Sequence, residues 1–295
     1  MSAAEPLNLS PIVAGCWRMA EWKLDPGQRL RWIGQALDLG IDSFDHADIY
    51  GDYSVEGLFG EALALQPALR QRIKLISKCG IKLTSAQRPA HAIKSYDTSR
   101  AHVLASVDNS LRALRTDYLD VLLIHRPDLL MDADELAATF AELKAAGKLL
   151  HAGVSNHTPA QLALLQARHP LATHQVELSP LHLAPLDDGT LEQCQALRMR
   201  PMLWSPLAGG RLFGGGDERG QRVRAVLEDL GRRHGGASVA TMAYAWLLRH
   251  PSRPWPITGS GREQGLRDAV DALAIRLSAQ EWYEVWQASA GREIA

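Results

Sequence analysis

RAHVLASVDNSLRALRTDYLDVLLIH, residues 100–125, contains one complete helix-to-strand step, and its reading sets the fold class. Val103, Val107, Leu111 and Leu114 recur at spacings of four and three, which places them on one face of a helix. Leu119 to Ile124 follows as a short apolar, strand-like run that stops at a histidine, His125. Short apolar or β-branched runs alternate with longer amphipathic stretches in both directions from this segment, the rhythm of repeated βα units.

The other strand candidates are Ile12 to Cys16, Asp42 to Asp45, Lys74 to Lys78, Leu150 to Val154, His174 to Val176, Met202 to Trp204 and Pro256 to Thr258. With Leu119 to Ile124 they make eight, each followed by a helical pattern. Thr158-Pro159-Ala160-Gln161 reads as a capping box with Pro at the first helical position, where its missing N–H costs nothing. Asp132 with Glu135 and Ser278 with Glu281 mark two more helix starts, and Gly147 marks the end of the helix from Asp134 to Ala146. No Pro/Ser-rich linker divides the chain, so residues 1–295 are expected to form a single domain. Eight βα units in one domain favour an α/β fold of the closed (β/α)8 TIM-barrel type over an open doubly wound sheet. The open sheet would carry a Gly-x-Gly-x-x-Gly turn. Here Gly214 and Gly216 are followed by Arg219, and Gly259 and Gly261 by Gln264, so any dinucleotide is held in another way. Two connections are long: Cys79 to Thr98 has no clear periodicity, and Leu207 to Gly220 is rich in glycine.

Composition narrows the function classes. The chain has 295 residues, 46% hydrophobic and 22% charged, and its 32 Lys+Arg against 33 Asp+Glu provide no basic field for nucleic acid. No apolar run approaches the roughly 18 residues that would span a bilayer, and the acidic N-terminus lacks the features of a signal peptide. Cys16, Cys79 and Cys194 are odd in number and form no Cys-x-x-Cys pair, which fits a reducing, cytoplasmic setting; Cys79 reads as a buried, inert thiol. The eleven histidines include no His-x-His or His-Glu-x-x-His, so metal catalysis is not expected. Tryptophan outnumbers phenylalanine, eight to four.

In such a barrel the strand C-termini form the active face, so the polar residues that end strands are the candidates for chemistry. Asp45 ends the second strand, with Tyr50 five residues on; Lys78 ends the third, His125 the fourth, Ser155-Asn156 the fifth and Trp204-Ser205 the seventh. Taken singly, each has a structural explanation: Asp45 as a helix cap, Lys78 as a solvated strand end, His125 as a hydrogen-bonded rim histidine. Together they suggest a tyrosine whose pKa, ordinarily about 10, is lowered by an ammonium that a carboxylate keeps charged, and which acts as a general acid.

Asp45-His46-Ala47-Asp48-Ile49-Tyr50-Gly51 followed by Glu56-Gly57-Leu58-Phe59-Gly60 resembles the first signature of the aldo-keto reductase family. Ser77-Lys78-Cys79-Gly80, Leu122-Leu123-Ile124-His125-Arg126-Pro127-Asp128, Gly153-Val154-Ser155-Asn156 and Gln175-Val176-Glu177-Leu178-Ser179-Pro180 resemble its later blocks, in order. Within the family the chain looks most like a bacterial oxidoreductase group whose natural substrate is not assigned. The resemblance implies a metal-free barrel that reduces small-molecule aldehydes or ketones with NADPH or NADH. It implies Asp45, Tyr50, Lys78 and His125 as the catalytic tetrad: Tyr50 as proton donor, Lys78 paired with Asp45 to tune it, and His125 orienting the carbonyl. Tyr53 is the nearest rival donor but falls outside the five-residue spacing from Asp45.

By the same resemblance Ser155, Asn156 and Gln175 hydrogen-bond the nicotinamide carboxamide and Trp204 stacks on its ring, while Gly15, Cys16 and Trp17 border cofactor and substrate. Ser205, Pro206, Leu207, Gly209 and Arg211 would wrap the pyrophosphate, and Gly259-Ser260-Gly261 would offer backbone N–H groups at a helix start. Many relatives carry Lys and Arg where this chain has Gly259 and Gly265, which weakens the expectation of NADPH over NADH. Arg262 and Arg267 are the nearby candidates for the 2′-phosphate. Little chain follows the last barrel unit, so a fairly open pocket with broad aldehyde tolerance is expected. A redox sensor that binds nicotinamide with little turnover is the alternative, because such relatives keep the same four residues. Oligomeric state leaves no signature in one sequence.

Overall fold

A computed structural model describes residues 6–214 and 217–295; the acidic N-terminal stretch and Gly216 of the glycine-rich connection lie outside the described residues. The strands are β1 (Val13–Gly15), β2 (Ser43–Asp45), β3 (Lys74–Cys79), β4 (Ile81–Lys82), β5 (Ser95–Tyr96), β6 (Leu119–Ile124), β7 (Leu149–Ser155), β8 (His174–Glu177), β9 (Met202–Trp204) and β10 (Trp255–Thr258). Eight of them close into a barrel in the order β1-β10-β9-β8-β7-β6-β3-β2, and β4 and β5 form a separate two-stranded sheet. All eight strands expected from the sequence are barrel strands, with ends shifted by no more than a residue. The fold is the α/β barrel that the alternating pattern predicts.

The helices are α1 (Pro26–Asp38), α2 (Tyr50–Tyr53, a single turn whose inner residues leave helical backbone), α3 (Val55–Leu65), α4 (Arg100–Leu114), α5 (Ala133–Ala145), α6 (Pro159–Gln166), α7 (Thr190–Ala196), α8 (Glu218–Arg233), α9 (Val239–Leu248), α10 (Glu263–Asp271) and α11 (Ala279–Ala290). The start signals act as expected. Thr158 and Ser278 form capping boxes with Gln161 and Glu281, and Asp132 accepts from the N–H groups of Asp134 and Glu135. In α4 the four residues that define its apolar face are all buried. One expectation needs correction. The connection from Cys79 to Thr98 is not structureless: Ile81 pairs with Tyr96 and Lys82 with Ser95 in an antiparallel hairpin, whose two-residue strands are too short for periodicity to reveal.

Contacts divide the chain into two compact units, one ending at Gln175 and one running from Val176 to Ala295. In the first, an aromatic ladder backs β2: Trp22 meets Trp32 at 5.0 Å, Trp32 meets Phe44 at 5.8 Å, Phe44 meets Phe59 at 5.3 Å and Phe59 meets His46 at 4.6 Å between ring centroids. In the second, Trp246 and Trp282 stack at 5.0 Å, and each indole N–H donates to the other residue's backbone carbonyl, at 3.0 and 3.1 Å. This exchange ties α9 to α11. Such pairs add about 0.5–1.5 kcal/mol each beyond the area they bury, so much of the tryptophan excess belongs to the core.

Candidate active site

In the first unit, parallel pairing of β2 with β3 and of β3 with β6 brings Asp45, Lys78 and His125 to one end of the sheet. Asp45 is in register with Ile76, Lys78 with Leu123, and the His125 N–H donates to the Cys79 carbonyl at 2.9 Å. The Lys78 side chain is fully buried and that of Asp45 is 4% exposed. Such a pair persists only when the remaining protons and lone pairs are also satisfied. Here they are: Lys78 Nζ donates to Asp45 Oδ2 at 2.8 Å, to the His46 carbonyl at 2.7 Å and to Tyr50 Oη at 2.9 Å, using all three ammonium protons. On the far side Gln175 Nε2 donates to Asp45 Oδ1 at 2.8 Å.

Tyr50, and not Tyr53, therefore receives the lysine. Because Tyr50 Oη accepts from Lys78, its own O–H proton is directed elsewhere. The expectation of a lowered phenol pKa is corrected, since burial pushes Tyr50 up to about 12 although Lys78 pulls the other way. Desolvation of the phenolate outweighs the neighbouring cation. The phenol is thus protonated at neutral pH, the state a proton donor must hold. Burial also opposes the charge on Lys78, but Asp45 and Tyr50 more than offset it and the pKa lies above that of an ordinary lysine. His125 is buried, its ring 5.9 Å from that of Tyr50 at an interplanar angle of 78°, and its Nδ1 lacks a protein partner. Burial, with Lys78, Arg126 and Lys94 adding to it, holds His125 well below the usual imidazole range, so it is neutral at pH 7.

Tyr50 opens a turn that the sequence did not foretell. Gly51, Asp52 and Tyr53 all adopt left-handed backbone, with φ of 56°, 54° and 64°. Glycine accepts this conformation without cost, whereas ordinary L-residues lose roughly 1–2 kcal/mol each. A Cβ at position 51 would also approach Val55 Cγ2 to 2.8 Å. The Tyr50-Gly51 step shared with the family signature has this steric cause.

Beside the Lys78 cluster, the ends of β7 and β8 carry an amide and hydroxyl set. Ser155 is in register with Gln175, and Asn156 Nδ2 donates to Ser155 Oγ at 2.7 Å and to the His125 carbonyl at 3.3 Å. This mixture of donors and acceptors suits a primary carboxamide. Gly15 and Cys16 are buried at the end of β1, where the Cys16 N–H donates to the Asp45 carbonyl at 2.9 Å, while Trp17 is 59% exposed. Among the described residues no three His, Cys, Asp or Glu side chains gather as metal ligands.

The aldo/keto reductase family model matches residues 11–290. The chain belongs to the aldo/keto reductase family. It is 46% identical to the uncharacterized oxidoreductase YcsN of Bacillus subtilis over 293 residues, covering 99% of this chain and 98% of that one. It is 38% identical to the 6-dehydroglucose reductase of Agrobacterium fabrum, covering 100% and 99%. Its fold is similar to that of the glycerol dehydrogenase AKR11B4 from Gluconobacter oxydans, with a TM-score of 0.85 at 24% identity and coverage of 98% and 95%.

In this aldo/keto reductase the second unit holds the other sequence-predicted residues. Trp204 ends β9 half-buried, Ala208–Gly210 forms a short 3-10 turn, and Arg211 Nε donates to the Ala208 carbonyl at 3.2 Å. Gly259, Ser260 and Gly261 lead into α10, where Ser260 Oγ accepts the Arg262 N–H at 3.1 Å. Gly265 is forced by close approach: a Cβ there would lie 2.2 Å from Ser260 Oγ and 2.5 Å from its Cβ, so an Arg at this position cannot enter without moving Ser260. Arg262 is exposed, and Arg267, also exposed, is paired with Glu263 on its own helix.

Sequence reasoning missed two carboxyls of the signature itself, Glu56 buried and Asp48 half-buried. Glu56 accepts from Ser77 Oγ at 2.5 Å, and burial lifts its pKa to about 7. Burial and Glu56 also raise Asp48 well above the carboxylate range. A carboxyl whose folded pKa is raised binds more protons folded than unfolded, so its contribution falls as pH rises from about 4.5 to about 7. Glu56→Gln is therefore expected to match the wild type near pH 4.5 and to exceed it by up to about 3 kcal/mol at pH 8, measured by urea unfolding across that range. An advantage that shrinks with rising pH would contradict the assignment.

Proposed function

We propose that this protein is an NAD(P)H-dependent carbonyl reductase in which Tyr50 donates the proton to the substrate oxygen. The supporting observation is the line from buried Asp45 and Lys78 to half-buried Tyr50, in which Lys78 fixes the phenol oxygen by donating to it and leaves the phenol's own proton to be given. A bound nicotinamide would supply the hydride. Ser155, Asn156 and Gln175 would hold its carboxamide and Trp204 its ring. As the carbonyl oxygen gains charge, neutral His125 positions it and Tyr50 protonates it, while Lys78 balances the phenolate that remains. Asp45 keeps Lys78 charged throughout. Water or a protein group then returns the proton to Tyr50.

For the cofactor we propose NADPH, with NADH also accepted: Gly259 and Gly265 carry no charge, and Arg267 is shared with Glu263, which leaves Arg262 as the main candidate for a 2′-phosphate. Ser205, Pro206, Leu207, Gly209 and Arg211, with the start of α10, remain the proposed pyrophosphate segments. The substrate is a small aldehyde or ketone, and the relative named as a reductase of 6-dehydroglucose supports an oxidised sugar as a member of the test set. We further propose that residues 1–295 act as one domain and that the protein is cytoplasmic; its three cysteines are buried free thiols, suited to a reducing compartment, and among the described residues no helix is long and apolar enough to cross a membrane. The test is NADPH oxidation against a panel of aldehydes, ketones and oxidised sugars. Turnover supports the reading, whereas tight NADPH binding with no turnover across the panel favours a nicotinamide sensor.

A further inference from the structure

We propose that Tyr53 is a positioning residue that holds the proton donor in place by clamping the left-handed turn after Tyr50 to the excursion between Gly80 and Thr98. The inference rests on the reading of Tyr50 given above. Its starting point is conformational: Asp52 and Tyr53 lie in left-handed backbone immediately after Tyr50, a state that persists only where surrounding contacts determine it. Tyr53 supplies those contacts. Its hydroxyl accepts the Leu83 N–H at 2.9 Å, the Arg88 guanidinium lies 4.5 Å from its ring centroid, and the His91 ring meets it at 6.5 Å.

The excursion is in turn fastened around this point. His91 Nδ1 lies 3.0 Å from the Leu83 carbonyl, and Ser85 pairs with Arg88 across an isolated bridge. At its far end Lys82 pairs with Asp97 at 3.2 Å, and Asp128 accepts from both the N–H and the hydroxyl of Thr98 at 3.0 Å. The excursion leaves β3 directly after Lys78 and Cys79 and folds back onto the residue three places after Tyr50. One tyrosine thus joins the segment that follows the lysine to the turn that follows the phenol. Releasing it lets residues 51–53 relax toward ordinary backbone, and Tyr50 shifts with them.

Tyr53→Phe tests this, because it keeps the ring beneath Arg88 and removes only the acceptor of the Leu83 N–H. Hydrogen exchange at the Leu83 amide is expected to quicken about tenfold, and kcat to fall about three- to tenfold with the cofactor KM unchanged. Adding Asp52→Gly, which removes the strain at one left-handed position, is expected to restore most of the lost kcat, a rescue that general loss of stability would not give. Nitration of Tyr50 by tetranitromethane, mapped by mass spectrometry, is expected to quicken at least about threefold in Tyr53→Phe, and this readout needs no turnover. Unchanged exchange at Leu83, or unchanged nitration of Tyr50, overturns the proposal. So does a kcat that stays at the wild-type value in an active enzyme, or a fall that Asp52→Gly leaves in place. A wild-type chain inactive on every carbonyl removes the reductase reading instead, and exchange and nitration then decide the clamp alone.

Discussion

Tyr50→Phe is expected to lower carbonyl turnover by about 10³-fold while NADPH binds with unchanged affinity, the magnitude that loss of a positioned general acid produces. The substitution removes one oxygen, and with it both the acceptor for Lys78 Nζ and the proton aimed at the substrate. Fold and stability should change little, because Lys78 retains Asp45 and the His46 carbonyl as partners. The measurement pairs single-turnover kinetics with fluorescence titration of NADPH. Retained turnover would remove Tyr50 as proton donor and would bring Tyr53 back into question, even though its hydroxyl is already bonded to the Leu83 N–H.

Lys78→Met should act on stability as strongly as on rate. It leaves Asp45 in a site where only 4% of its side chain is exposed, with the Gln175 amide as its remaining side-chain partner. Breaking one half of a buried ion pair costs about 3–5 kcal/mol, since the surviving charge loses its compensation. For a chain of this size that corresponds to a fall of roughly 5–8 °C in Tm. Pairing the change with Asp45→Leu should recover part of the loss, because the stranded charge is then gone, but not the activity. Thermal unfolding of the three proteins separates these terms, and a double variant no more stable than Lys78→Met would contradict this view of the pair.

The barrel was legible because short strand-like runs alternate with amphipathic stretches and several helix starts, among them those of α4, α5, α6 and α11, carry side-chain caps. Leu119 to Ile124 and Met202 to Trp204 match to the residue. The hairpin of β4 and β5 was not legible, since two-residue strands carry no period. At the site, strand ends offered Asp45, Lys78 and His125, and the resemblance to the family signature singled out Tyr50 over Tyr53. The sign of the Tyr50 shift was misread because charge neighbours can be guessed from motif spacing, while the desolvation that outweighs them depends on how deeply the turn is packed. The Gln175 to Asp45 bond joins residues 130 positions apart, and the left-handed run after Tyr50 is set by tertiary contacts with the excursion. Neither has a local signature beyond the motif that contains it.

The central claim, that this barrel moves a hydride to a carbonyl with Tyr50 supplying the proton, meets its most direct test in isotope transfer. The protein is incubated with nicotinamide nucleotide deuterated at the transferring C4 position and with a reactive aldehyde, and the alcohol is read by mass spectrometry. One deuterium on the carbinol carbon with the wild type, and almost none after the same interval with Tyr50→Phe, is the predicted result; alcohol without deuterium, or equal transfer by both proteins, would contradict it.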